Sequence, residues 1–216
     1  MYLIGDIHGD FFTLRDILDK IPPEETVIQV GDLGIWPQLT PRWKRAGIDR
    51  DVHFIDGNHD YIPWLDADSP ERIEIWPHAF YVPRGLAFPV DDKKVLFLGG
   101  SKSVDRAFRT KDSAGYGWFE GEQLTEAQAE RAIKAGPVDI IISHTPPDRV
   151  IEKEFGRSGL LAFNVNPKTW IDESARLVER VWKELKYPML YCGHMHQSVT
   201  GMDFRILNIN EVLEVK

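Results

Sequence analysis

Short apolar runs alternate with an amphipathic stretch along the first quarter of the chain. The runs Tyr2–Ile4, 26–30 and 52–55 are each followed by glycine or aspartate, which is typical of short buried strands. Residues 11–21 instead repeat apolar side chains every three or four positions and precede Pro22, so they predict an amphipathic helix. Strands that alternate with helices in this way predict a parallel sheet with crossover helices.

The middle of the chain has short apolar segments without helical spacing. These segments are joined by tight connections, and residues 91–94 have the composition of a hairpin turn. The pattern predicts an antiparallel second sheet, and its four strands cover residues 73–75, 80–82, 86–90 and 95–98.

The second half of the chain predicts two helices, an irregular segment and four more strands. One helix covers residues 124–135, with Thr125 as its N-cap; the other begins at Asn166 and Pro167 and runs to about Lys186. Ile171 is placed on the buried stripe of this second helix. Residues 148–166 are predicted to be irregular. The predicted strands cover residues 138–142, 189–192, 204–209 and 212–215, and the last two are expected to form a hairpin.

The composition favours one α/β domain over residues 1–216, because 43% of the residues are hydrophobic and no Ser/Gly-rich linker divides the chain. The formal net charge of −8 argues against long nucleic acid as the main partner, since proteins that track phosphates carry basic stripes. Cys192 is the only cysteine, and no apolar run approaches membrane-spanning length. We therefore expect a cytoplasmic protein with no membrane contact. The sequence leaves its oligomeric state open.

Side chains that bind metals follow the predicted strands. The carboxyl ends of parallel strands lie at one edge of a sheet, where sites form. A single histidine there would most simply be structural, but turn chemistry does not explain the repeated Asp, Asn and His. The side chains are Asp6 and His8 after the first strand, Asp32, Asn58, His144, and His194 with His196.

These seven side chains favour two metal ions rather than one. An aspartate can bridge two ions through its two oxygens, and seven ligands then give each ion about four. Mixed carboxylate, amide and imidazole ligands suit Mn²⁺, Fe or Zn²⁺ better than Mg²⁺ or Ca²⁺. We expect Mn²⁺, with Fe, Zn²⁺ or Ni²⁺ as alternatives. Two ions roughly 3.5–4 Å apart clamp a phosphate and activate a bridging hydroxide as the nucleophile.

Five motifs together resemble the calcineurin-like metallophosphoesterase superfamily, as a small single-domain member of bacterial or phage type. They occur in the order of that superfamily between residues 5 and 196. The resemblance implies a four-layer α/β/β/α sandwich of two mixed β-sheets flanked by helices. The motifs are Gly5-Asp6-Ile7-His8-Gly9, Gly31-Asp32, Gly57-Asn58-His59-Asp60, Ser143-His144 and Gly193-His194-Met195-His196.

The resemblance also implies a role for each motif residue. Two metal sites share Asp32, whose position between both ions makes it part of the catalytic machinery. His59 matches the catalytic histidine, which protonates the leaving oxygen or binds the phosphate. The first metal is expected on Asp6, His8 and His196, and the second on Asn58, His144 and His194.

The residues after Asp32 depart from the protein phosphatase branch of the superfamily. That branch has a valine-aspartate-arginine-glycine stretch, in which the aspartate orients the catalytic histidine and the arginine grips the phosphate. Here residues 33–36 are Leu-Gly-Ile-Trp, so both groups are missing. Asp10 or Asp60 could orient His59 instead, or both could be helix N-terminal acids.

Asn58, Arg106 and Arg109 are the candidate substrate-binding residues. The arginines lie in a polar loop after a predicted strand, where they could hold phosphate oxygens or pair with surface acids. The expected substrate is a small phosphodiester, for example a 2′,3′-cyclic or other cyclic nucleotide, with His59 as general acid. A phosphomonoesterase acting on nucleotides or phosphoproteins is the alternative. A nuclease and a non-catalytic scaffold on the same fold are disfavoured.

Overall fold

The structure, a computed structural model, describes residues 1–109 and 117–216. Its strands are β1 (Tyr2–Ile4), β2 (Val27–Gln29), β3 (Val52–Phe54), β4 (Ile73–Trp76), β5 (Ala79–Tyr81), β6 (Ala87–Val90), β7 (Lys93–Leu98), β8 (Ile140–Ser143), β9 (Met189–Cys192), β10 (Val199–Thr200), β11 (Phe204–Ile206) and β12 (Val212–Glu214). The α-helices are α1 (Phe11–Leu18), α2 (Thr40–Ala46), α3 (Glu126–Lys134), α4 (Asp148–Glu154) and α5 (Glu173–Glu184).

The strands form two six-stranded mixed sheets with matching layouts. The first has the order β12-β1-β2-β3-β5-β4 and the second β10-β11-β9-β8-β7-β6. In each sheet the four inner strands pair in parallel, and one antiparallel strand closes each edge. The carboxyl ends of the parallel strands therefore gather at one edge of each sheet, where loops can share a site.

Alternating side chains divide between an inner and an outer core. Leu3 and Ile142 pack into the core between the two sheets. Their neighbours face the helices instead: Ile4 packs with α1 and α2, and Ile141 packs with α3 and α5. Strands buried on both faces need continuous apolar runs, which these sequences supply. The predicted four-layer α/β/β/α sandwich is confirmed.

Two predicted strand pairings are wrong. The segments around residues 73–98 do not form one antiparallel sheet: β4 and β5 complete the first sheet, whereas β6 and β7 belong to the second. The final strands do not form a hairpin either, because β11 pairs with β9 and β12 pairs with β1. The turn expected between β6 and β7 is present.

The helix predicted from Asn166 begins later, at Glu173. Asp172 is its N-cap and accepts a hydrogen bond from the backbone N–H of Ala175. Asn166 caps only a turn, through the N–H of Lys168, and the expected buried residue Ile171 is 51% exposed. Asn166 and Asp172 are both suitable N-cap residues, but the helix begins only after Asp172.

The segment predicted to be irregular contains α4 and the 3-10 helix Ser158–Phe163. The helix predicted over residues 124–135 is confirmed as α3, and Thr125 forms a capping box with Gln128. The polar loop after Gly100 includes residues 110–116, which lie outside the described residues. Within the described ranges, no helix combines the length and apolarity needed to cross a lipid bilayer.

Candidate metal centre

The structure brings the predicted metal ligands together: five of them line one cavity, and the buried Asp6 and His144 lie directly beside those five. Each lies in a loop that directly follows a parallel strand, as the sequence predicts. The loops after β1, β2 and β3 come from the first sheet and those after β8 and β9 from the second. The residues are Asp6, His8, Asp32, Asn58, His144, His194 and His196.

One group of donor atoms is formed by Asp6, His8, Asp32 and His196, which offer ligand atoms within 4.8 Å of one another. The Nε2 atoms of His8 and His196 lie 3.0 Å apart, and His196 Nε2 lies 3.3 Å from Asp6 Oδ2. Imidazole nitrogens that converge on one point beside a carboxylate have the donor set of a transition-metal site.

A second group is formed by Asp32, His144 and His194. His144 Nε2 lies 3.4 Å from Asp32 Oδ2 and 3.3 Å from the side-chain oxygen of Asn58. The Nδ1–H of His144 donates to the carbonyl of Val30 at 2.9 Å, so in the neutral ring the Nε2 lone pair faces these oxygens. A cation held between this nitrogen and these oxygens would be coordinated by all three atoms.

Asp32 belongs to both groups and fits a shared metal ligand. Its Oδ2 is buried and receives no hydrogen bond from the residues that the structure describes, whereas Oδ1 accepts the N–H of His59 at 2.7 Å. Burial alone would raise the pKa of Asp32, but the His144, His59 and His8 imidazoles hold it well below its usual range. A charged carboxylate oxygen without hydrogen bonds suits a divalent cation.

The pKa values of two histidines of the centre are shifted in opposite directions. Burial alone would lower the pKa of His144, but the Asp32 carboxylate raises it to about 10. Burial and the neighbouring His144 hold the pKa of His194 well below its usual range. Ligating imidazoles must be neutral, so metal binding at His144 would displace a proton.

The comparison with known families agrees with this geometry. The family model for calcineurin-like phosphoesterases matches residues 1–198. The chain belongs to this family. The predicted superfamily is therefore confirmed, and the calcineurin-like phosphoesterase described here is a metal-dependent phosphoesterase that uses divalent metal ions. Among curated proteins, none matches the chain significantly.

Glycines beside the ligands make room for them in this calcineurin-like phosphoesterase. A Cβ on Gly57 would lie 2.0 Å from Asp32 Oδ1, and a Cβ on Gly193 would lie 2.1 Å from Asp6 Oδ1. Any larger residue would therefore displace a carboxylate of the centre. This close approach explains why glycine precedes Asn58 and His194.

The backbone of the centre is held in a strained form. His8, Asp32, His194 and His196 have φ angles of 48°, 58°, 66° and 52°, which non-glycine residues adopt infrequently. Such strain costs of the order of 1–3 kcal/mol per residue and persists only where the surroundings enforce it.

Asp60 holds the loops after β2 and β3 in place through hydrogen bonds to their backbone. Its buried carboxylate accepts the backbone N–H groups of Asp32, Gly34, Ile35 and Gly57. Asp10 caps α1 by accepting from Thr13. The interpretation of Asp10 as a helix N-cap is therefore confirmed. The same interpretation of Asp60 is wrong, because its carboxylate binds the backbone of the loops after β2 and β3 and caps no helix.

His59 lines the same cavity as His8, Asp32 and Asn58. Its ring lies 5.3 Å from that of His8, edge to face. Its Nε2 lies 4.0 Å from Oδ2 of Asp105, a carboxylate that was not among the predicted site residues. Burial lowers the pKa of His59, and the Asp32 and Asp105 carboxylates oppose that effect. The sequence offered one indication of this role, because Asp105 lies a few residues after the Gly99-Gly100 pair that ends a predicted strand.

Of the predicted substrate-binding residues, Asn58 lines the cavity and the two arginines do not. Arg106 is exposed and lies 3.7 Å over the Trp118 ring. Arg109 is buried, donates to the carbonyl of Asn58 at 2.7 Å and pairs with Asp105 at 3.6 Å. The structure thus places Arg109 beneath the Asn58 loop. In the described part of the chain, the cations that line the cavity are Lys102 and Arg157.

Proposed function

We propose that this calcineurin-like phosphoesterase hydrolyses a small phosphodiester, with Asp32 shared between two Mn²⁺ ions and His59 as the general acid. The observation that carries the proposal is that both donor groups meet at Asp32 in the cavity that His59 lines. The first ion would be held by Asp6, His8 and His196, and the second by Asn58, His144 and His194. Fe, Zn²⁺ and Ni²⁺ are the alternative metals.

The chain's own residues divide the chemistry between them. Two divalent cations, when bound, supply positive charge to the phosphate and activate water as the nucleophile. Asn58 sits within reach of both the second donor group and the cavity, and its amide donates to Ser103 Oγ at 3.1 Å, which fixes its orientation. His59 donates a proton to the leaving oxygen, and Asp105 favours the protonated, correctly oriented imidazole.

The charges around the cavity favour a diester over a monoester. A monoester dianion carries one more negative charge and needs an additional cation. Arg106 and Arg109 lie outside the cavity lining, and Lys102 and Arg157 already donate to main-chain carbonyls. A phosphodiester monoanion, such as a 2′,3′-cyclic nucleotide, does not require the extra cation.

The test is hydrolysis of bis-p-nitrophenyl phosphate and p-nitrophenyl phosphate by the Mn²⁺-loaded protein, followed by 2′,3′- and 3′,5′-cyclic nucleotides. We expect faster hydrolysis of the diester. A faster monoester reaction would establish the phosphomonoesterase alternative instead. Absence of hydrolysis with every divalent metal would overturn the proposal.

The variant His59→Ala tests the general acid. We expect metal content to remain near normal while turnover falls by roughly 10²–10⁴-fold, the range of general acid catalysis. His78→Asn is the matched control, because the half-buried His78 pairs with Asp51 at 2.8 Å and does not line the cavity. Full turnover by His59→Ala on every ester tested would remove the assigned role.

A further inference from the structure

The metal centre opens into a cavity of about 800 Å³ with an apolar wall. Pockets of roughly 300–1,000 Å³ typically hold small organic ligands. His59 and five of the predicted metal ligands line one side of this cavity. The other side is lined by five apolar side chains, which are Ile151, Phe155, Leu160, Phe163 and Trp170. We call these five residues the apolar wall.

The apolar wall is built by α4, the 3-10 helix Ser158–Phe163 and the turn that precedes α5. Phe163 stays 39% exposed although it lines the cavity. Leu160 and Trp170 are partly buried. Exposed aromatic and aliphatic side chains at the mouth of a site are available for burial by a ligand.

Polar contacts hold the apolar wall in place. Arg157 pairs with Asp148 at 3.2 Å and donates to the carbonyl of Trp170 at 3.2 Å. Lys102 donates to the carbonyl of Ile171, and its ammonium lies 4.1 Å from the centre of the Trp170 ring. These contacts tie the wall to α4 and to the loop after β7, and they also occupy both cations of the cavity.

We propose that the apolar wall binds the organic part of the substrate, a flat aromatic ring such as an aryl group or a nucleobase. The inference rests on the proposed function, which places the phosphate of the same molecule at the metal centre. Three of the five wall residues are aromatic, and ring–ring contacts add to the gain from apolar burial. Bases of every kind stack on aromatic side chains, because each base has a flat π-face.

The surroundings of the apolar wall disfavour other ester classes. The neighbouring cations Lys102 and Arg157 already donate to main-chain carbonyls, so a second phosphate or a carboxylate on the organic part would gain little there. A sugar phosphate would place hydroxyl groups against apolar side chains without hydrogen-bond partners. A phosphodiester with one aromatic group matches both sides of the cavity.

The test measures binding by calorimetry, with Mn²⁺-loaded protein and non-hydrolysable phosphinates, which carry one negative charge as a phosphodiester does. Methyl(phenyl)phosphinate should bind about tenfold more tightly than dimethylphosphinate. Phe163→Ala should remove most of that difference and leave the affinity for dimethylphosphinate unchanged. Leu161→Ala is the matched control, because Leu161 lies in the same 3-10 helix, is 63% exposed and does not line the cavity.

Further ligands distinguish a nucleobase from an aryl group as the bound ring. Tighter binding of adenosine monophosphate than of ribose 5-phosphate, lost in Phe163→Ala, would identify a nucleobase; a gain for methyl(phenyl)phosphinate alone would identify an aryl ester. Cyclohexyl(methyl)phosphinate binding as tightly as methyl(phenyl)phosphinate would overturn the aromatic class. Equal affinities for methyl(phenyl)phosphinate and dimethylphosphinate would overturn the role of the apolar wall and leave the proposed function standing. Binding of neither phosphinate would overturn both.

Discussion

Asp105 Oδ2 lies 4.0 Å from Nε2 of His59, at the edge of the cavity that both residues line. Asp105 is only 7% exposed and pairs through its other oxygen with Arg109 at 3.6 Å. A fixed, buried carboxylate beside an imidazole stabilises the protonated ring and orients it. We infer that Asp105 orients His59, the role for which residues 33–36 supply no aspartate.

We predict that Asp105→Asn lowers kcat by about tenfold on diesters with poor leaving groups and has little effect on p-nitrophenyl esters. A general acid matters most when the leaving oxygen is basic, so this dependence separates a positioning role from a structural one. The measurement is kcat on a 2′,3′-cyclic nucleotide and on bis-p-nitrophenyl phosphate.

The double variant Asp105→Asn/His59→Ala is the control for that prediction. If Asp105 acts through His59, adding Asp105→Asn to His59→Ala causes no further loss. An equal loss on both classes of ester, or a fall in metal content, would instead assign Asp105 a purely structural role.

Because the two donor groups contain different histidines, we expect each single histidine variant to lose one metal ion and keep the other. His196→Ala should leave one ion, because only the first group contains His196, and His144→Ala should also leave one, because only the second group contains His144. Asp32→Asn should weaken both ions. The measurement is elemental analysis after Mn²⁺ loading, with circular dichroism to check folding. Two tightly held ions in Asp32→Asn would contradict the shared ligand.

A buried ion pair beneath the site predicts a large stability effect. Arg84 is 1% exposed, contacts Asp56 at 2.5 Å and donates to the carbonyls of residues 121–123. Arg84→Met should lower the free energy of unfolding by about 3–5 kcal/mol, because it leaves the Asp56 charge buried without its partner. Urea denaturation measures this.

Arg176→Met is the control for that loss. Arg176 pairs with Glu173 at 3.5 Å on the exposed surface of α5, so we expect a change within about 0.5 kcal/mol. A loss below about 1 kcal/mol in Arg84→Met would contradict this prediction, because it would show that other groups compensate the buried charge of Asp56.

Replacing Asp172 with asparagine is predicted to raise the stability of the protein, and to raise it more at high pH. Burial raises the pKa of this cap residue from 3.8 to about 6. The folded protein therefore holds the proton more tightly than the unfolded chain, and stability is lost as the pH rises from about 4 through about 6. Asp172→Asn keeps a capping side chain but cannot ionise. It should exceed the wild type in stability, by about 1 kcal/mol more at pH 8 than at pH 5.

Denaturation at pH 5 and pH 8 checks this prediction. Asp172→Ala is the control: it also cannot ionise but lacks the hydrogen bond to Ala175, so it should be less stable than Asp172→Asn by about 1 kcal/mol at both pH values. An Asp172→Asn variant with the same pH dependence as the wild type would contradict the raised pKa.

The sequence predicted the parts of the fold that depend on neighbouring residues. The apolar run Tyr2–Ile4, the N-cap Thr125 and the turn before Lys93 are local patterns, and each appears in the structure. The pairing of β4 with β5 in the first sheet and of β12 with β1 was not predicted, because strand pairing brings together segments far apart in the chain and short apolar strands do not specify their partners.

The candidate site divides in the same way. The sequence by itself determined the ligand types and their positions at strand ends, because metal chemistry requires particular side chains and parallel strands bring their carboxyl ends to one edge. Only the tertiary structure decided that Asp105 lies beside His59, that Arg109 is buried under the Asn58 loop, and that α4 and Phe163 face the metal centre. Those relationships depend on loop packing between the sheets, which no local pattern encodes.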